Sequence, residues 1–342
     1  PQVQAFLQRA HGHFIDGRYE PGSGAQRFEV TNPATGQSLA RVDSADAALL
    51  EAAVASARAA FKGSWANTLP AQKGMLLNRL ADLIGAHGEE LAQLETLCSG
   101  KSIHLSRLFE VGQSAMYLRY YAGWATKING ETITPSFPSM AGECYTAYTR
   151  REPLGVVAGI VPWNFSVMIG VWKIAAALTT GCTLVLKPSE FTPLTLLRLA
   201  ELAIEAGIPP GVLNVLNGKG EVGARLIEHP QVAKVSFTGS VPTGIKVGQS
   251  AMAANLTRVT LELGGKNAAA LLPDADLDGV TAGLIQTGYV HQGQVCAAPE
   301  RIYVHRPQLE GLLERLKGAL QVMVIGSPLD EGVQFGPLSN QP

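Results

Sequence analysis

Between residues 153 and 265 the chain alternates short, almost continuous apolar runs with stretches that are apolar on one face only. A continuous apolar run of strand length is typical of a strand buried on both faces, whereas apolar positions at i, i+3 and i+4 predict a helix. The alternation therefore predicts a parallel α/β sheet that helices cover on both faces. The predicted strands are 155–163, 182–188, 211–216, 232–239 and 258–265, and the predicted helices are 168–179, 193–206, 221–228 and 243–254.

The pattern differs on either side of this region. Residues 1–45 predict short strands and turns, and residues 130–152, which are rich in Thr, Tyr, Pro and Ser, predict an extended excursion or hairpin. Such a segment is either a surface hairpin or an arm that pairs with another subunit. Helical periodicity predicts further helices at 46–64, 70–85, 88–99 and 101–124. A second α/β run follows, with strands at 267–272 and 301–305 and helices at 276–289 and 308–320.

Composition and charge narrow the class of protein. Of the 342 residues, 46% are apolar and 16% are charged, which predicts large cores and excludes a disordered chain. The net charge of −1, without a basic block, indicates no nucleic-acid partner. The four widely spaced cysteines argue against a disulfide framework or a zinc site. Since the start is not signal-like and no apolar run spans a bilayer, we expect a cytoplasmic protein with neither a metal nor a membrane partner.

Residues that can carry chemistry lie near the ends of the predicted strands, where ligands of parallel sheets bind. Cys296, between small residues in the segment 291–297, is either a nucleophile that substrate can reach or a small buried hydrophobe. Asn164 can aim its amide at a developing oxyanion or bond its own turn. Glu262 ends an apolar strand, which should raise its pKa toward that of a general base, unless it is a structural carboxylate paired with a distant Lys or Arg.

Three stretches are candidates for binding a dinucleotide. Lys187 and Glu190, at the end of a predicted strand, can grip ribose hydroxyls or form an exposed ion pair. The loop 239–244 joins a strand to a helix, where phosphate can approach backbone N–H groups. Residues 218–223 match G-x-G-x-x-G, but the next strand ends without the acidic residue that would hold the ribose. We therefore interpret 218–223 as a glycine-rich turn.

Taken together, five motifs resemble the aldehyde dehydrogenase superfamily. In chain order they are PWNF at 162–165, KPSE at 187–190, FTGS at 237–240, LELGGK at 261–266 and QGQVC at 292–296. The resemblance covers essentially the whole chain, and the separation of Glu262 and Cys296 is similar to that in the family. The stretches 121–133 and 291–301 look most like bacterial members that act on phenylacetaldehyde.

The resemblance implies a role for each matching residue. Cys296 matches the nucleophile, Glu262 the general base and Asn164 the oxyanion donor. The implied cofactor ligands are Ile160, Pro162, Trp163, Lys187, Ser189, Glu190, Gly220, Phe237, Gly239, Ser240, Thr243 and Leu263. The implied lining of the aldehyde tunnel, which is otherwise ordinary core, is Phe165, Ile169, Trp172, Val290 and Val295.

The implied reaction is NAD-dependent oxidation of an aldehyde to the carboxylic acid through a cysteine thiohemiacetal and a thioester. A carboxylate at Glu190 favours the ribose hydroxyls of NAD over the 2′-phosphate of NADP. The apolar, partly aromatic tunnel favours an aryl-alkyl aldehyde such as phenylacetaldehyde. Two alternatives stay open: a CoA-acylating aldehyde dehydrogenase, which would not need Glu262 as a base, and a non-catalytic NAD-binding relative.

The resemblance also implies an architecture. It is an aldehyde dehydrogenase-like α/β fold with a parallel Rossmann-type cofactor sheet, a second α/β catalytic domain and a small oligomerisation arm. Residues 1–133 and 153–264 would form the NAD-binding domain and 134–152 the arm. Residues 265–342 would form the N-terminal part of the catalytic domain, since family chains run further. We expect a homodimer or homotetramer of the full-length chain.

Two residues depart from the family pattern. Ser166 stands where a Pro usually follows PWNF, and Pro299 stands where a Gly is usual after the cysteine. Because proline fixes φ near −65°, the backbone that leaves the segment around Cys296 is expected to differ.

Overall fold

The computed structural model describes residues 2–136 and 140–340. Its first part contains short strands followed by helices, as the pattern predicts, preceded by an unpredicted helix α1 (Gln2–Leu7). The strands are β1 (His13–Ile15), β2 (Arg18–Glu20), β3 (Arg27–Thr31) and β4 (Ser38–Asp43). The helices are α2 (Ala47–Lys62), α3 (Ser64–Asn67), α4 (Pro70–Ala86), α5 (Gly88–Ser99), α6 (Ile103–Leu105) and α7 (Ser114–Ala122), with a π-helix at Ser106–Gln113.

Local signals set several of these helix boundaries. Asp46 caps α2, because its carboxylate accepts a hydrogen bond from the Leu49 backbone N–H at 2.9 Å. Pro70 opens α4 at a position where a helix has no use for the missing N–H. Gly100 ends α5 with a φ of 77°, the left-handed conformation that glycine adopts most readily.

The region predicted as one helix over 101–124 is divided by the π-helix between α6 and α7. A π-helix bonds each N–H to the carbonyl five residues back, is rare, and occurs frequently at functional sites. Apolar periodicity does not predict it, because eight residues are too few to separate a π from an α period. Within this segment Glu110 is fully buried, which the pattern also did not predict.

Residues 130–136 and 140–152 are mostly exposed, in agreement with the predicted excursion. A short antiparallel ladder joins β5 (Thr132–Ile133) to β6 (Ala147–Tyr148). Residues 137–139 lie outside the described part of the chain. The assignment of 134–152 as an oligomerisation arm stays a prediction.

A seven-stranded sheet combines two strands from residues 13–20 with five strands from residues 156–263. Five strands are parallel: β7 (Val156–Ile160), β8 (Thr183–Lys187), β9 (Leu213–Val215), β10 (Val232–Gly239) and β11 (Arg258–Leu263). The strand order is β11-β10-β7-β8-β9-β1-β2, in which β1 runs antiparallel to β9 and β2. The helices between the parallel strands are α8 (Ser166–Thr179), α9 (Leu194–Glu205), α10 (Gly220–Glu228) and α11 (Val241–Asn255).

The prediction of a parallel α/β sheet is confirmed for these five strands, but the whole sheet is mixed. The added strands are three residues long, and Phe14 of β1 pairs with Val215 of β9, about 200 residues away along the chain. Pairing over that separation leaves no signal in the local pattern of apolar residues.

Alternate residues of each parallel strand face opposite sides of the sheet. Leu184 and Leu186 of β8 join the larger core, which includes apolar residues of α4, α5, α7, α8 and α9. Val185 joins a second core, which includes apolar residues of α2, α10 and α11. Both faces are therefore buried, as continuous apolar runs require.

The second α/β run forms a two-stranded parallel sheet of β12 (Asn267–Leu271) and β13 (Pro299–Val304). Helices α12 (Leu277–Gly288) and α13 (Leu309–Gln321) pack beside it around the buried Leu284, Leu312 and Leu316. A short irregular turn lies at Val290–Gly293, and a short 3₁₀ turn lies at Arg306–Gln308. Among the described residues, no helix combines the length and the apolar content that crossing a membrane requires.

Candidate active site

Four parallel strands bring candidate residues to one edge of the sheet. Ile160, the last residue of β7, lies beside Lys187 of β8 and beside Phe237 of β10. Gly239 of β10 lies beside Leu263 of β11. Because all four strands are parallel, their carboxyl ends share an edge, which is where ligands bind in such sheets.

Asn164 connects this edge to the segment that carries the candidate nucleophile. β7 ends earlier than predicted, so that Pro162, Trp163 and Asn164 form a half-buried turn before α8. The Asn164 side-chain amide donates to the Gln294 backbone carbonyl at 2.8 Å. The alternative, in which Asn164 only bonds its own turn, is therefore not what the structure shows.

The cysteine loop, residues 291–298, has an uncommon backbone. His291, Gln292 and Gly293 have φ angles of 49°, 57° and 78°, so that three consecutive residues are left-handed. For residues other than glycine this region is sparsely populated and costs about 1–2 kcal/mol per residue. Contacts from elsewhere must offset that cost, since the loop is part of the stable fold.

Residues far along the chain supply these contacts. The Gln292 side-chain amide donates to Pro337 O at 2.8 Å, and the Ser339 backbone N–H donates to the Gln294 side chain at 3.1 Å. The imidazole of His291 is buried, with its ring centroid 6.2 Å from that of Trp163 and 5.7 Å from that of Phe165. Burial, with the nearby Lys101 charge, lowers the pKa of His291 well below its ordinary value, so the ring is neutral.

Cys296 itself is exposed, which excludes the alternative of a small buried hydrophobe. Its backbone carbonyl accepts a hydrogen bond from the Asn267 side chain, which also donates to Ala298 O at 3.2 Å. Asn267 thus ties the start of β12 to the segment before β13. Sequence reasoning had no basis for singling out Asn267, because its role depends on a contact across 29 residues.

The environment of Glu262 differs from the prediction. We expected an apolar setting that would disfavour its charge, but Glu262 is exposed. Only half of the reasoning holds: Glu262 lies near the end of β11, yet β11 is the edge strand of the sheet, so its side chains are not covered on both sides. The prediction that Glu262 lies in a buried, apolar setting is therefore wrong.

A second charged residue, Lys173 of α8, faces Glu262. Its buried ammonium donates to Ser236 Oγ at 3.1 Å and to Thr238 Oγ1 at 3.0 Å. Burial lowers the pKa of Lys173 to about 8, and attraction to the Glu262 carboxylate opposes the shift. Sequence reasoning treats Lys173 only as an interruption of an apolar run, although a lysine inside such a run was the available signal.

A cavity of about 930 Å³ opens beside these two residues. Ile169 and Trp172 line it, as predicted for the aldehyde tunnel, together with Glu262. Further aromatic residues that line it, and that sequence reasoning missed, are Tyr117, Tyr121 and Trp124. The other three predicted tunnel residues pack with the larger core, where Phe165 is buried and Val290 and Val295 are partly buried.

The predicted ribose ligands are placed together at the end of β8. Lys187 Nζ lies 3.8 Å from Glu190 Oε2 and donates to Pro188 O at 3.0 Å. Lys187 is only 5% exposed, so this is not the exposed ion pair of the alternative interpretation. Burial lowers the pKa of Lys187, and the Glu190 charge opposes the shift. Ser189 is buried, and its hydroxyl accepts from Phe191 N at 3.4 Å.

The predicted phosphate loop lies at the start of α11. Ser240 caps the helix: its hydroxyl accepts from Thr243 N at 3.4 Å and donates to Thr243 Oγ1 at 2.9 Å. A side chain at Gly239 would lie 2.6 Å from the Phe237 ring, so this position needs a glycine. Leu263 of β11 packs directly on Gly244, where a Cβ would lie only 2.4 Å from Leu263 Cδ2. The glycine therefore allows the start of α11 to approach β11.

The stretch 218–223, interpreted from sequence as a glycine-rich turn, comprises the two residues before α10 and the first four residues of that helix. α10 begins at the exposed Gly220, and apart from the neighbouring backbone no atom of the described chain lies within 4 Å of where its Cβ would be. A Cβ at the buried Gly223 would lie 3.6 Å from Lys187 Cδ and 3.8 Å from Ile160 Cδ1. These glycines therefore bring α10 close to the edge that carries Lys187.

Both departures from the family pattern have visible consequences. Ser166 begins α8, and its hydroxyl donates to the buried carboxylate of Glu95 at 2.8 Å. Pro299 begins β13 and pairs with Asn267, where the register of the ladder is irregular. The expectation that the backbone after Cys296 differs from that of the family stays a prediction.

Helices cover the sheet on both faces, and one edge brings together the loop before α11, the buried Lys187 and the exposed Cys296. This architecture is typical of dinucleotide-dependent oxidoreductases. The chain belongs to the aldehyde dehydrogenase family, whose model matches residues 19–342. It is 46% identical to a phenylacetaldehyde dehydrogenase of Pseudomonas fluorescens, over 97% of this chain and 66% of that protein. It is 42% identical to betaine aldehyde dehydrogenase 2 of Rhizobium meliloti, over 97% of this chain and 67% of that protein.

Solved structures agree. The NAD+ complex of an aldehyde dehydrogenase from Bacillus cereus superposes with a TM-score of 0.94 at 43% identity, over all of this chain and 68% of that one. An NADP-dependent enzyme of Escherichia coli superposes with a TM-score of 0.92 at 34% identity, over 98% of this chain and 68% of that one. The chain thus spans about two thirds of the length of its relatives.

Proposed function

We propose that this chain carries the nucleophile, base, oxyanion donor and cofactor site of an NAD-dependent aldehyde dehydrogenase. The supporting observation is the 2.8 Å hydrogen bond from Asn164 to Gln294 O. It joins the candidate oxyanion donor to the loop of Cys296, at the sheet edge that also holds Lys187. The reaction converts an aldehyde and water to a carboxylic acid, with two electrons passing to the cofactor as hydride.

The first step uses Cys296 and Asn164. The Cys296 thiolate attacks the aldehyde carbon and forms a thiohemiacetal. The Asn164 amide has two hydrogens, and since one is bonded to Gln294 O, the other is left for the oxygen that becomes negative. The backbone N–H of Cys296 is a second donor for that oxygen. NAD, held by the residues at the strand ends, would supply the hydride acceptor. Loss of hydride converts the thiohemiacetal into a thioester on Cys296.

The second step uses Glu262. Its exposed carboxylate borders the cavity and takes a proton from the water that attacks the thioester, which releases the acid and the thiol. Lys173 lies beside Glu262, and the opposite charges of the two side chains attract each other. An exposed base also has direct access to water, whereas the buried one that we expected from sequence would not.

The residues at the strand ends fit a dinucleotide. An ammonium has three donors, and the Lys187–Glu190 pair presents a donor and an acceptor side by side, as vicinal ribose hydroxyls require. The start of α11 at Ser240 and Thr243 offers backbone N–H groups and the positive end of a helix to the pyrophosphate. Because the Glu190 carboxylate repels a 2′-phosphate, we propose NAD rather than NADP.

The cavity supports an aryl-alkyl aldehyde, such as phenylacetaldehyde, as the substrate. Its lining combines the aromatic Tyr117, Tyr121, Trp124 and Trp172 with the carboxylate of Glu262, and its volume lies within the range of small-molecule sites. The similarity to the Pseudomonas fluorescens enzyme points the same way. A panel of aryl-alkyl, alkyl and quaternary ammonium aldehydes, followed by NADH absorbance, tests this choice.

The domain roles follow from the same proposal. Residues 1–133 and 153–264 bind the cofactor, and 265–342 contribute the nucleophile from the catalytic domain. Residues 134–152 serve as an arm between subunits of a homo-oligomer, a role that the exposure of the described residues 134–136 and 140–152 favours. Size-exclusion chromatography with light scattering, on chains with and without 134–152, tests the arm.

Two measurements of NADH formation, in the steady state and in the pre-steady state, test the proposed roles of Cys296 and Glu262. Cys296→Ala should abolish turnover, whereas Cys144→Ala, at another exposed cysteine, should leave it unchanged. Glu262→Gln should give a burst of NADH and then turn over slowly. Turnover in Cys296→Ala contradicts the proposal, and an acyl-CoA product on adding CoA points to the CoA-acylating alternative.

A further inference from the structure

Behind the candidate site lies a buried charged cluster that the proposed reaction does not use. The ammonium of Lys101 contacts the carboxylates of Glu95, at 3.3 Å, and of Glu110, and it lies 4.6 Å from the centre of the Phe165 ring. Lys101, Glu95 and Glu110 are all fully buried. The three donors of the ammonium are thus directed at two carboxylates and an aromatic face.

The cluster is bonded to the start of α8. Glu110 Oε2 accepts a hydrogen bond from the Met168 backbone N–H at 2.8 Å, and Glu95 Oε2 accepts from Ser166 Oγ at 2.8 Å. Glu95 Oε2 also accepts from Thr195 Oγ1 of α9 at 3.0 Å. Charged groups are otherwise rare in a core, because removing each from water costs several kcal/mol unless it is paired.

The start of α8 needs an acceptor from outside the helix. The first backbone N–H groups of a helix have no partner within it, and a Ser, Thr, Asp or Asn before the helix usually supplies one. Here the preceding residue is Phe165, whose side chain makes no capping hydrogen bond in the described chain. The Glu110 carboxylate, from the π-helix, supplies that acceptor.

Asn164 lies immediately before this capped turn. We propose that Glu110 is a positioning residue: by capping α8 from the π-helix, it fixes the turn from which Asn164 donates to the cysteine loop. The inference rests on the role of Asn164 in the proposed function. Phe165, between Asn164 and the helix, contacts the Lys101 ammonium and also the Phe109 ring, which lies 6.0 Å away between centroids in an edge-to-face arrangement.

Glu110→Gln tests the inference with little change in volume. Glu110 uses one oxygen for Lys101 and the other for Met168 N–H, and a carboxamide has only one oxygen. Whichever contact the oxygen keeps, the amide nitrogen must face a donor, so one bond is lost. Thr195→Val is the matched control, because it removes a hydrogen bond to the same cluster without touching α8.

Single-turnover NADH formation, measured in a double-mutant cycle with Asn164→Ala, separates positioning from general damage. Asn164→Ala should slow this step about 10²-fold or more, as loss of an oxyanion donor does elsewhere. Glu110→Gln should slow it about tenfold alone, with KM nearly unchanged, but less than about twofold in the Asn164→Ala background. Equal losses in both backgrounds overturn this inference and leave the proposed function standing. A wild-type rate in Asn164→Ala overturns the role of Asn164 and this inference with it.

Hydrogen exchange provides a readout that does not depend on turnover. In Glu110→Gln, amide exchange in a peptide covering 163–170 should accelerate at least fivefold, roughly 1 kcal/mol of lost protection. In Thr195→Val it should stay within about twofold of the wild type. Unchanged exchange at 163–170 in a folded Glu110→Gln chain overturns the inference.

Discussion

The central sheet and the cysteine loop are held in place in opposite ways. In β8, Leu184 and Val185 are fully buried on opposite faces, and the backbone is a regular parallel strand. In the cysteine loop, three successive residues are left-handed and Cys296 is exposed. The sheet is stabilised by the burial of apolar surface, whereas the loop is stabilised by polar contacts from several distant segments.

This difference separates stability from chemistry. Apolar burial is worth roughly 25 cal/mol per Å² and is spread over many side chains, so damage to the sheet lowers the free energy of unfolding. The cysteine loop buries less apolar surface, but it determines the position of the Cys296 sulfur atom. Damage to its contacts should therefore alter the reaction of Cys296 more than the stability of the fold.

The largest expected effect lies in the sheet. Leu184→Ala should lower the free energy of unfolding by about 3 kcal/mol, because it leaves a cavity between β8 and the larger core. Urea denaturation followed by circular dichroism measures it. Leu272→Ala, at a position that is 66% exposed, is the control and should change stability by less than about 0.5 kcal/mol. Similar losses in both variants would mean that burial does not dominate in the sheet.

A titration at the sheet edge should come next in size. Lys173 has a pKa of about 8 in the fold against 10.5 in the unfolded chain, so between these values the unfolded state binds more protons and stability rises with pH. The rise between pH 7.5 and pH 10 should be about 2 kcal/mol and should vanish in Lys173→Met. Denaturation of both chains at pH 7.5 and pH 10 measures it, with Lys62→Met as an exposed control. If the free energy of unfolding depended on pH in the same way in Lys173→Met and in the wild type, a buried Lys173 with a lowered pKa would be excluded.

A smaller change in stability is expected in the cysteine loop. Gly293→Ala places a side chain at φ 78°, which costs about 1–2 kcal/mol although its Cβ would meet no atom closer than 3.4 Å. The rates of Cys296 alkylation and of the NADH burst should change severalfold, because the substitution moves the loop that carries the sulfur atom. The effect on the reaction should thus be large although the change in the free energy of unfolding is small. Gly85→Ala, inside α4 with open space around it, should instead stabilise the chain slightly. A destabilised Gly293→Ala chain with an unchanged burst would contradict the contrast between sheet and loop.

The smallest expected effect concerns cofactor choice. Glu190→Ser should raise kcat/KM for NADP relative to NAD about tenfold, or roughly 1.4 kcal/mol, because it removes a carboxylate that repels the 2′-phosphate. Parallel assays with both cofactors measure the ratio. Glu221→Ser, at an exposed carboxylate on α10, should leave it nearly unchanged. An equal shift in both variants would indicate a general charge effect rather than recognition by Glu190.

The same contrast explains how much the sequence could predict. Continuous apolar runs predicted β7, β8, β10 and β11 and the shared edge where their motifs meet, because burial on both faces leaves a local signature. The family resemblance is confirmed, and with it the α/β fold. The sequence did not predict that β1 and β2 pair with the central sheet, nor that Ser106–Gln113 forms a π-helix, since each depends on pairing or winding that short stretches do not encode.

Within the candidate site, the limit of prediction is set by neighbours that are distant in sequence. Asn164 and the cysteine loop are in contact, as their proposed roles require, but Glu262 is exposed because β11 is an edge strand. Asn267 and Gln292 act through contacts to Cys296 O and Pro337 O, which no spacing reveals. The roles of the individual site residues stay predictions, which the variants of Cys296, Glu262 and Asn164 test.

The π-helix has a consequence for how this molecule can vary. Each residue advances an α-helix by about 100°, so deleting one residue within Ser106–Gln113 would rewind the segment and rotate α7, which begins directly after it, by roughly that angle. α7 carries Tyr117 and Tyr121 into the cavity, while Glu110 lies within the π-helix itself. A single-residue insertion or deletion in this segment would therefore change both the shape of the cavity and the contact of Glu110 with the start of α8. One mutational event would alter these two features together.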